Sequence, residues 1–303
     1  AVTKKKIKRC KEDVVFDAAC FIILTLVLFV VAYPLYWVII SSISAPSAVS
    51  SGKVLLHPIG FTLKGYAEVF KNDQVMRGFL NSLIITFCGV MVNLIVTLPT
   101  SYALSRSNFS GKKPITVFYM ITMFFGGGMI PTYLVVKNMQ LLNTIWALVL
   151  PGCLSVYNMI VARTFFKSNI SEELYEAAEI DGCTQARFFF QIALPLSKAI
   201  IAILVLYYGV GHWNSYFSAL VYISDKAKYP LQLVLRNILI TNQTALSQTA
   251  TTAAARAALQ EKQQLIDVMK YSLIIISSIP VLVMYPLVQK HFVKGVMIGS
   301  MKG

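Results

Sequence analysis

Charged side chains are scarce in this sequence. Asp, Glu, Lys and Arg make up 13% of its 303 residues, while 56% are hydrophobic. Soluble domains carry about a quarter charged residues. A bilayer accounts for the deficit, because a membrane-spanning helix is built from about 20 mainly apolar residues. The composition therefore excludes an ordinary soluble domain and predicts an integral membrane protein.

Several site motifs are also missing. The sequence contains no G-x-x-x-x-G-K-[ST] phosphate loop, no H-E-x-x-H and no G-x-S-x-G. Its five cysteines include no C-x-x-C, and its three histidines are far apart, so we expect no disulfide framework and no metal site. We also expect no catalytic centre and no cofactor bound by this chain.

Six apolar runs contain no Asp, Glu, Lys or Arg, and each is long enough to cross a bilayer once. They predict an all-α protein of about six transmembrane helices. Apart from His212, the runs hold no ionisable residue of the kind that ion-coupled transporters keep inside the membrane. The runs are 18–43, 78–105, 114–136, 138–162, 199–224 and 271–289.

Basic residues set the expected orientation. A cluster precedes the first run and places the N-terminus in the cytoplasm, and six crossings return the C-terminus there. The net charge of +14 is spread over loops rather than along one stripe, so it predicts contact with anionic lipid and not with nucleic acid. The cluster is Lys4, Lys5, Lys6, Lys8, Arg9 and Lys11.

This topology describes a single transmembrane domain over residues 1–303. A short helix is expected near Gly65–Lys71, an Ala-rich helix at Thr249–Leu259, and a flexible loop at Thr241–Gln248. The segments outside the runs are a cytoplasmic N-terminal segment (1–17), an outer loop (44–77), an inner loop (163–198), an outer loop (225–270) and a cytoplasmic tail (290–303).

The inner loop is rich in acid. Asn169 or Ser171 can cap a helix whose first turn holds Glu172 and Glu173, and Gly182 can end it. Thr184 can cap a second short helix before Pro195. One face of the first helix is narrow and mostly small, since Leu174, Ala177, Ala178 and Asp181 recur at helical spacing. These patterns predict two short helices separated by a glycine turn. Taken by itself, the segment could also be an amphipathic connection with no other role.

Glu176–Gly182 and Ile192–Pro195 resemble the cytoplasmic-loop signature of ABC importer permeases, which reads E-A-A, then Gly, then I-x-L-P. The resemblance extends over most of the chain and is closest to the second permease of carbohydrate importers, of the maltose and complex-oligosaccharide type. The other similar segments are Asn81–Leu83, Tyr102–Arg106, Gly128–Tyr133, Leu142–Trp146, Gly211–Asn214 and Gln289–Gly295.

The resemblance implies a type I importer permease in a prokaryotic plasma membrane. It implies a heterodimer with a sister permease, an extracytoplasmic solute-binding protein, and two ATPase subunits that carry the ATP and magnesium. The inner loop would then hold the coupling helix between spans four and five. Glu176 and Asp181 would belong to its acidic face, Ala177 and Ala178 would pack closely, and Gly182 would set its angle. Leu194 and Pro195 would join the loop to the fifth span.

The substrate path is less specified. His212, Trp213, Asn214 and Tyr216 place aromatic and polar groups in the fifth run, where they could contact a sugar or simply pack between helices. A non-sugar cargo such as a peptide stays open, as does a self-contained secondary transporter. A membrane enzyme should show a cluster of convergent catalytic residues, and none is evident. A scaffold would not need the Gly182 turn or the acidic helix at this spacing.

Overall fold

A computed structural model describes residues 11–245 and 253–299, and all the regular secondary structure in those ranges is helical. The long helices are α1 (Lys11–Ser42), α4 (Asp73–Ser105) and α15 (Ala253–Gly299). The shorter ones are α2 (Pro46–Ser50), α3 (Lys64–Lys71), α5 (Lys112–Phe124), α6 (Met129–Asn138), α7 (Trp146–Val149), α8 (Val156–Asn169), α9 (Glu172–Ile180), α10 (Gln185–Phe188), α11 (Leu194–Leu196), α12 (Lys198–Trp213), α13 (Tyr216–Tyr222) and α14 (Leu231–Ala245). A π-helical turn (Phe189–Ala193) and a 3₁₀ turn (Lys226–Lys228) complete the set.

The described residues form two compact units, of which the first comprises residues 11–69, 244–245 and 253–276. Its core joins the end of α1 to the segment around α2 and to α15, through Ile40, Val49 and Val268. Trp37 packs edge-on against Tyr271 at a centroid distance of 5.1 Å and donates its indole N–H to the carbonyl of Val54 at 2.8 Å. The partly buried indole therefore keeps a hydrogen-bond partner for its N–H group.

The second unit, residues 70–243 and 277–299, is built around α4. This helix packs against both α8 and α12. Asn72 caps its start by accepting from the backbone N–H groups of Gln74 and Val75, and Arg163 Nε donates to the carbonyl of Leu104 at its end. Both helix ends thus have partners for backbone groups that lack them within the helix.

Three of the six apolar runs are interrupted rather than straight. In the third run, helices α5 and α6 meet at an angle of 114°, whereas the 80° bend that leads into α12 lies at Ser197, just before the fifth run. The first bend falls at the triple glycine, where Gly128 has φ of +82°, a conformation that favours glycine. Within the fifth run, α12 ends at Trp213 and α13 begins at Tyr216.

The fourth run was expected to be one continuous span, and that prediction is wrong. Residues 150–155 are non-helical and separate α7 from α8, which then continues to Asn169, beyond the predicted end at residue 162. Pro151 and Gly152 disfavour a helix at this point. A second, long-range cause is the buried side chain of Asn93.

Asn93 lies on α4, and its side chain forms hydrogen bonds to the non-helical segment between α7 and α8. Its amide nitrogen donates to the carbonyls of Gly152 and Cys153, each at 2.8 Å. Because an amide oxygen can only accept, His212 Nε2 carries the hydrogen and donates it to Asn93 Oδ1 at 2.6 Å. Non-helical backbone at membrane depth requires such partners, because lipid supplies none. His212 is thereby held in a network that joins α4, α12 and the break.

We expect Asn93→Ala to destabilise the second unit. The substitution leaves two part-buried backbone carbonyls without their donor, and the cost of about 1–3 kcal/mol for a fully buried acceptor is an upper bound for each. The thermal unfolding midpoint in detergent should fall by several degrees. Asn214→Ala is the matched control, because Asn214 is exposed and its side chain bonds, among the described residues, only to the carbonyl of Val210 one turn before it. Equal midpoints for the two variants would contradict the role given to Asn93.

The helix count agrees with about six spans. Among the described residues, three helices are long and apolar enough to cross a membrane, and up to five spans result if each bent pair counts as one.

The short helix expected near Gly65–Lys71 is confirmed as α3. The loop expected at Thr241–Gln248 is wrong over its first part, because α14 continues to Ala245. Residues 1–10, 246–252 and 300–303 lie outside the described residues, so most of the basic N-terminal cluster, the start of the Ala-rich helix and the end of the tail are not described.

Candidate functional site

Local sequence signals build both ends of α9 as predicted. Ser171 caps its start by accepting from the N–H of Leu174 at 3.3 Å. At its end Gly182 has φ of +75°, and its N–H bonds to the carbonyl of Glu179 at 3.0 Å. The N–H of Cys183 bonds to the carbonyl of Ala178 at 2.9 Å. This pair of bonds is a Schellman motif, which ends the helix and turns the chain sharply.

After this turn the chain leads back to α12 through a series of short helical segments. Thr184 caps α10 by accepting from the N–H of Arg187 at 3.3 Å. The π-helical turn and α11 follow, and Ser197 separates them from α12. Leu194 is partly buried and packs against the core, whereas Pro195 is exposed. The predicted order of helix, glycine turn and helix is confirmed.

The inner face of α9 belongs to an aromatic cluster. Tyr175 packs edge-on against Phe188 with their centroids 5.2 Å apart, and both are buried. Tyr102 of α4 lies 5.0 Å from Phe189 and 5.6 Å from Phe166 of α8. Aromatic pairs of this kind contribute about 0.5–1.5 kcal/mol each beyond burial. The cluster therefore ties α9 to the ends of α4 and α8 and to the start of α12.

Arg106, directly after α4, connects that helix to α9 by charge. Its guanidinium lies 2.7 Å from Glu172 Oε2 and 4.0 Å from the centre of the Tyr175 ring. The other carboxylate oxygen of Glu172 accepts from the backbone N–H of Ser107 at 3.2 Å. The Arg106 side chain is 12% exposed and that of Glu172 44%. The sequence placed Arg106 at the end of the family-like segment Tyr102–Arg106 but gave it no role, although it is the first cation after the apolar run that α4 occupies.

The outer face of α9 is exposed and acidic. Glu173, Glu176, Glu179 and Asp181 are all exposed, and Ile180 beside them is 88% exposed. The two alanines that were predicted to pack closely lie on different faces of α9. Ala177 is exposed, while Ala178 packs against the aromatic cluster. A helix whose inner side is fixed and whose outer side is free can receive another protein and transmit its movement inward.

The structure also places the four residues of the expected substrate path. His212 is engaged with Asn93, as described above. Trp213 is buried, donates its indole N–H to the carbonyl of Ser277 at 2.9 Å and packs edge-on against Phe79. Asn214 and Tyr216 are exposed. Substrate contact by these four residues stays a prediction.

The chain is similar along nearly its whole length to transport permeases. It is 36% identical to the polygalacturonan/rhamnogalacturonan transport system permease protein YtcP of Bacillus subtilis (strain 168), over 95% of this chain and 98% of that protein. It is 39% identical to Protein LplC of the same organism, over 97% of each chain. No family model matches.

A solved structure agrees. A chain of a bacterial ABC transporter involved in the import of the acidic polysaccharide alginate superposes with a TM-score of 0.84 at 28% identity, covering 95% of this chain and all of that one. The chain belongs to the family of sugar ABC importer permeases. The permease is thus a multi-pass membrane component, and ATP hydrolysis is the work of separate subunits of the transport system.

Membership confirms the family resemblance, the all-α membrane fold and the non-enzymatic role predicted from the sequence. It sets aside the self-contained secondary transporter. The ABC system to which the permease belongs implies ATPase and binding-protein partners. Among the described residues no group of three His, Cys, Asp or Glu side chains is arranged to hold a metal ion.

Proposed function

We propose that the permease moves an oligosaccharide or a polysaccharide fragment across a prokaryotic plasma membrane, into the cytoplasm. Its relatives support this cargo, since they include the YtcP permease and a galactooligosaccharides transport system permease, GanQ, which is 27% identical. The alginate importer points the same way. None of these names supports the alternative of a peptide cargo.

The permease works in this proposal as a heterodimer with a sister permease, surrounded by lipid. A solute-binding protein delivers the cargo from outside, and two ATPase subunits bind from the cytoplasm, where both termini lie. ATP and magnesium are held by the ATPase subunits, and the permease itself binds no cofactor. The basic cluster before α1 supports the cytoplasmic position of the N-terminus.

Helix α9 is the proposed coupling helix, and the observation that carries this role is its two-sided construction. Its outer face offers carboxylates that suit arginines of an ATPase subunit. Its inner face is fixed to α4 and α8 by the aromatic cluster and by Arg106. A push on the outer face is therefore passed to the helices of the second unit rather than absorbed locally. Glu176 and Ala177 belong to the docking face, Ala178 to the transmitting face.

Co-purification tests the assembly. The tagged permease is extracted in mild detergent, and the proteins that accompany it are identified by mass spectrometry. We expect a sister permease and an ATPase in near-equal amounts. In proteoliposomes with the loaded binding protein, oligogalacturonides or galacto-oligosaccharides should be taken up at the expense of ATP. Purification of the chain alone, or uptake of peptides but of neither sugar, would overturn the proposal.

Charge reversal on the docking face should weaken the ATPase contact. We expect Glu176→Lys to reduce the amount of co-purified ATPase several-fold, because like charges then face each other, and Glu176→Gln to have a smaller effect. Glu12→Lys, an exposed acid at the start of α1, is the control. Undiminished ATPase recovery with Glu176→Lys would remove Glu176 from the interface.

A further inference from the structure

A groove of about 540 Å³ opens on the second unit beside the break between α7 and α8. Helices α8, α12 and α15 each contribute to its walls. Its lining residues are Tyr157, Asn158, Leu206, Tyr207, Val210, Val281 and Tyr285. None of the four residues expected to form the substrate path from the sequence is among them.

Three tyrosines line the groove. Tyr157 is 55% exposed, Tyr207 43% and Tyr285 58%. None of their hydroxyls bonds to a residue that the structure describes. A hydroxyl placed in hydrocarbon without a partner is costly. The rest of the lining is mostly apolar, so this face suits an occupant that offers both apolar ring faces and hydroxyl groups.

Asn158 provides a second and independent sign of a ligand. Its side chain lines the groove while the residue is only 6% exposed. Its backbone N–H is capped by Ser155, but its amide group makes no hydrogen bond within the described part of the chain. The amide atoms are not among the buried polar atoms that lack a partner, so they are accessible from the groove. The amide has one acceptor and two donors to offer, which matches a pair of neighbouring sugar hydroxyls.

The break itself is the third observation. Leu150, Pro151 and Gly152 are exposed although their backbone is non-helical. Such backbone occurs at membrane depth only where protein covers it or where it lines a water-filled cavity. Discontinuous helices of this kind mark substrate sites in other transporters. Tyr157 and Asn158 follow the break directly, at the start of α8.

We propose that this groove is a carbohydrate-contact site on the transport path. This inference rests on the proposed function and adds where the cargo is touched on this subunit. Pyranose ring faces stack on Tyr207 and its neighbouring tyrosines, and the Asn158 amide bonds to hydroxyls. No charged side chain lines the groove. The groove therefore binds the rings and hydroxyls of the sugar, and the carboxylates of an acidic sugar are bound by other parts of the assembly.

The test uses the assembled transporter in proteoliposomes, with oligogalacturonides and galacto-oligosaccharides as probes. Tyr207→Cys is introduced after the five native cysteines have been changed to serine and uptake has been verified. We expect a charged, membrane-impermeant maleimide to label the new thiol, and millimolar probe to slow that labelling. Phe87→Cys, an exposed position in the apolar part of α4 and outside the groove, is the control for a thiol that water does not reach, and it should not be labelled.

The possible outcomes distinguish failure of this inference from failure of the proposed function. Absence of labelling places the face against lipid or a helix of the sister permease and overturns the inference, as does labelling that neither sugar slows. Asn158→Leu should lower uptake about fivefold, as expected for one net hydrogen bond, with the ATPase still bound. Failure of the unmodified transporter to take up either probe would overturn the proposed function and the inference together. Normal uptake with an unprotected Tyr207→Cys would overturn the inference alone.

Discussion

Replacing Gly182 with valine is expected to abolish coupled uptake, while replacing it with asparagine preserves it. Gly182 has φ of +75°, and a Cβ built on it would meet no other atom within 4 Å. Space is therefore not the constraint, and only the backbone conformation selects glycine. An L-residue in this left-handed region costs about 1–2 kcal/mol. The cost is greatest for β-branched residues and least for asparagine.

The valine variant can lower this strain only by giving up the Schellman bonds at the end of α9. The angle between α9 and the aromatic cluster would then change. A movement received on the outer face of α9 would no longer reach α4. The measurement is sugar uptake per ATP hydrolysed in proteoliposomes. We expect a fall of more than tenfold for Gly182→Val and a change within twofold for Gly182→Asn.

Thermal unfolding of the purified complexes is the necessary control. Because Gly182 is exposed, both variants should unfold close to the midpoint of the unmodified complex. Full coupling in a folded Gly182→Val complex would show that the angle of α9 is not needed for transmission. Equal losses with valine and asparagine would instead point to the exposed surface of the turn and not to its backbone.

Arg106→Leu is expected to uncouple ATP hydrolysis from uptake with a loss of about tenfold, the equivalent of some 1.4 kcal/mol. The substitution removes both contacts that Arg106 makes with α9, the ion pair with Glu172 and the stacking on Tyr175. Leucine leaves the apolar packing of the cluster largely in place. The expected defect therefore lies in transmission rather than in folding.

Two conservative variants separate the contacts. Arg106→Lys keeps the positive charge but lacks the planar group that stacks and forms paired hydrogen bonds. Glu172→Gln removes the ion pair while the arginine can still stack. We expect both to lie between the unmodified protein and Arg106→Leu. The change in unfolding midpoint should be small for Glu172→Gln, because the carboxylate is 44% exposed and solvent screens the pair.

Lys113→Leu serves as the matched control for Arg106→Leu, since it removes an exposed cation from nearby α5. Uptake per ATP should stay within twofold of the unmodified complex. If Arg106→Leu behaved like this control, Arg106 would be a passive cap of α4. If Glu172→Gln alone reproduced the whole loss, the ion pair would carry the coupling and the stacking would not.

The membrane class of the protein and the local structure of its acidic loop could be predicted because their signals are short-range. The scarcity of charge is a bulk property of the chain. Ser171, Gly182 and Thr184 act on backbone groups within three or four residues of themselves, so their effect on α9 and α10 does not depend on the rest of the fold. The family motif in this loop is likewise contiguous.

The interruption of the fourth run could not be predicted in the same way. Pro151 and Gly152 weaken the helix locally, but an apolar run of this length can tolerate both inside a membrane. What fixes the break is Asn93, which donates to carbonyls 59 and 60 residues further along the chain. Sequence separation of this size leaves no periodic trace, so the run resembled an uninterrupted span.

The sequence by itself determined that this chain is a helical membrane permease, where its acidic loop lies and how that loop turns. Composition, caps and a contiguous motif were sufficient, because each acts locally. Only the tertiary structure decided that Ala178 faces inward and Ala177 outward, that Arg106 holds Glu172, and that Tyr157, Tyr207 and Tyr285 share one groove. Those relations join residues of different helices, and the packing of the helices sets them.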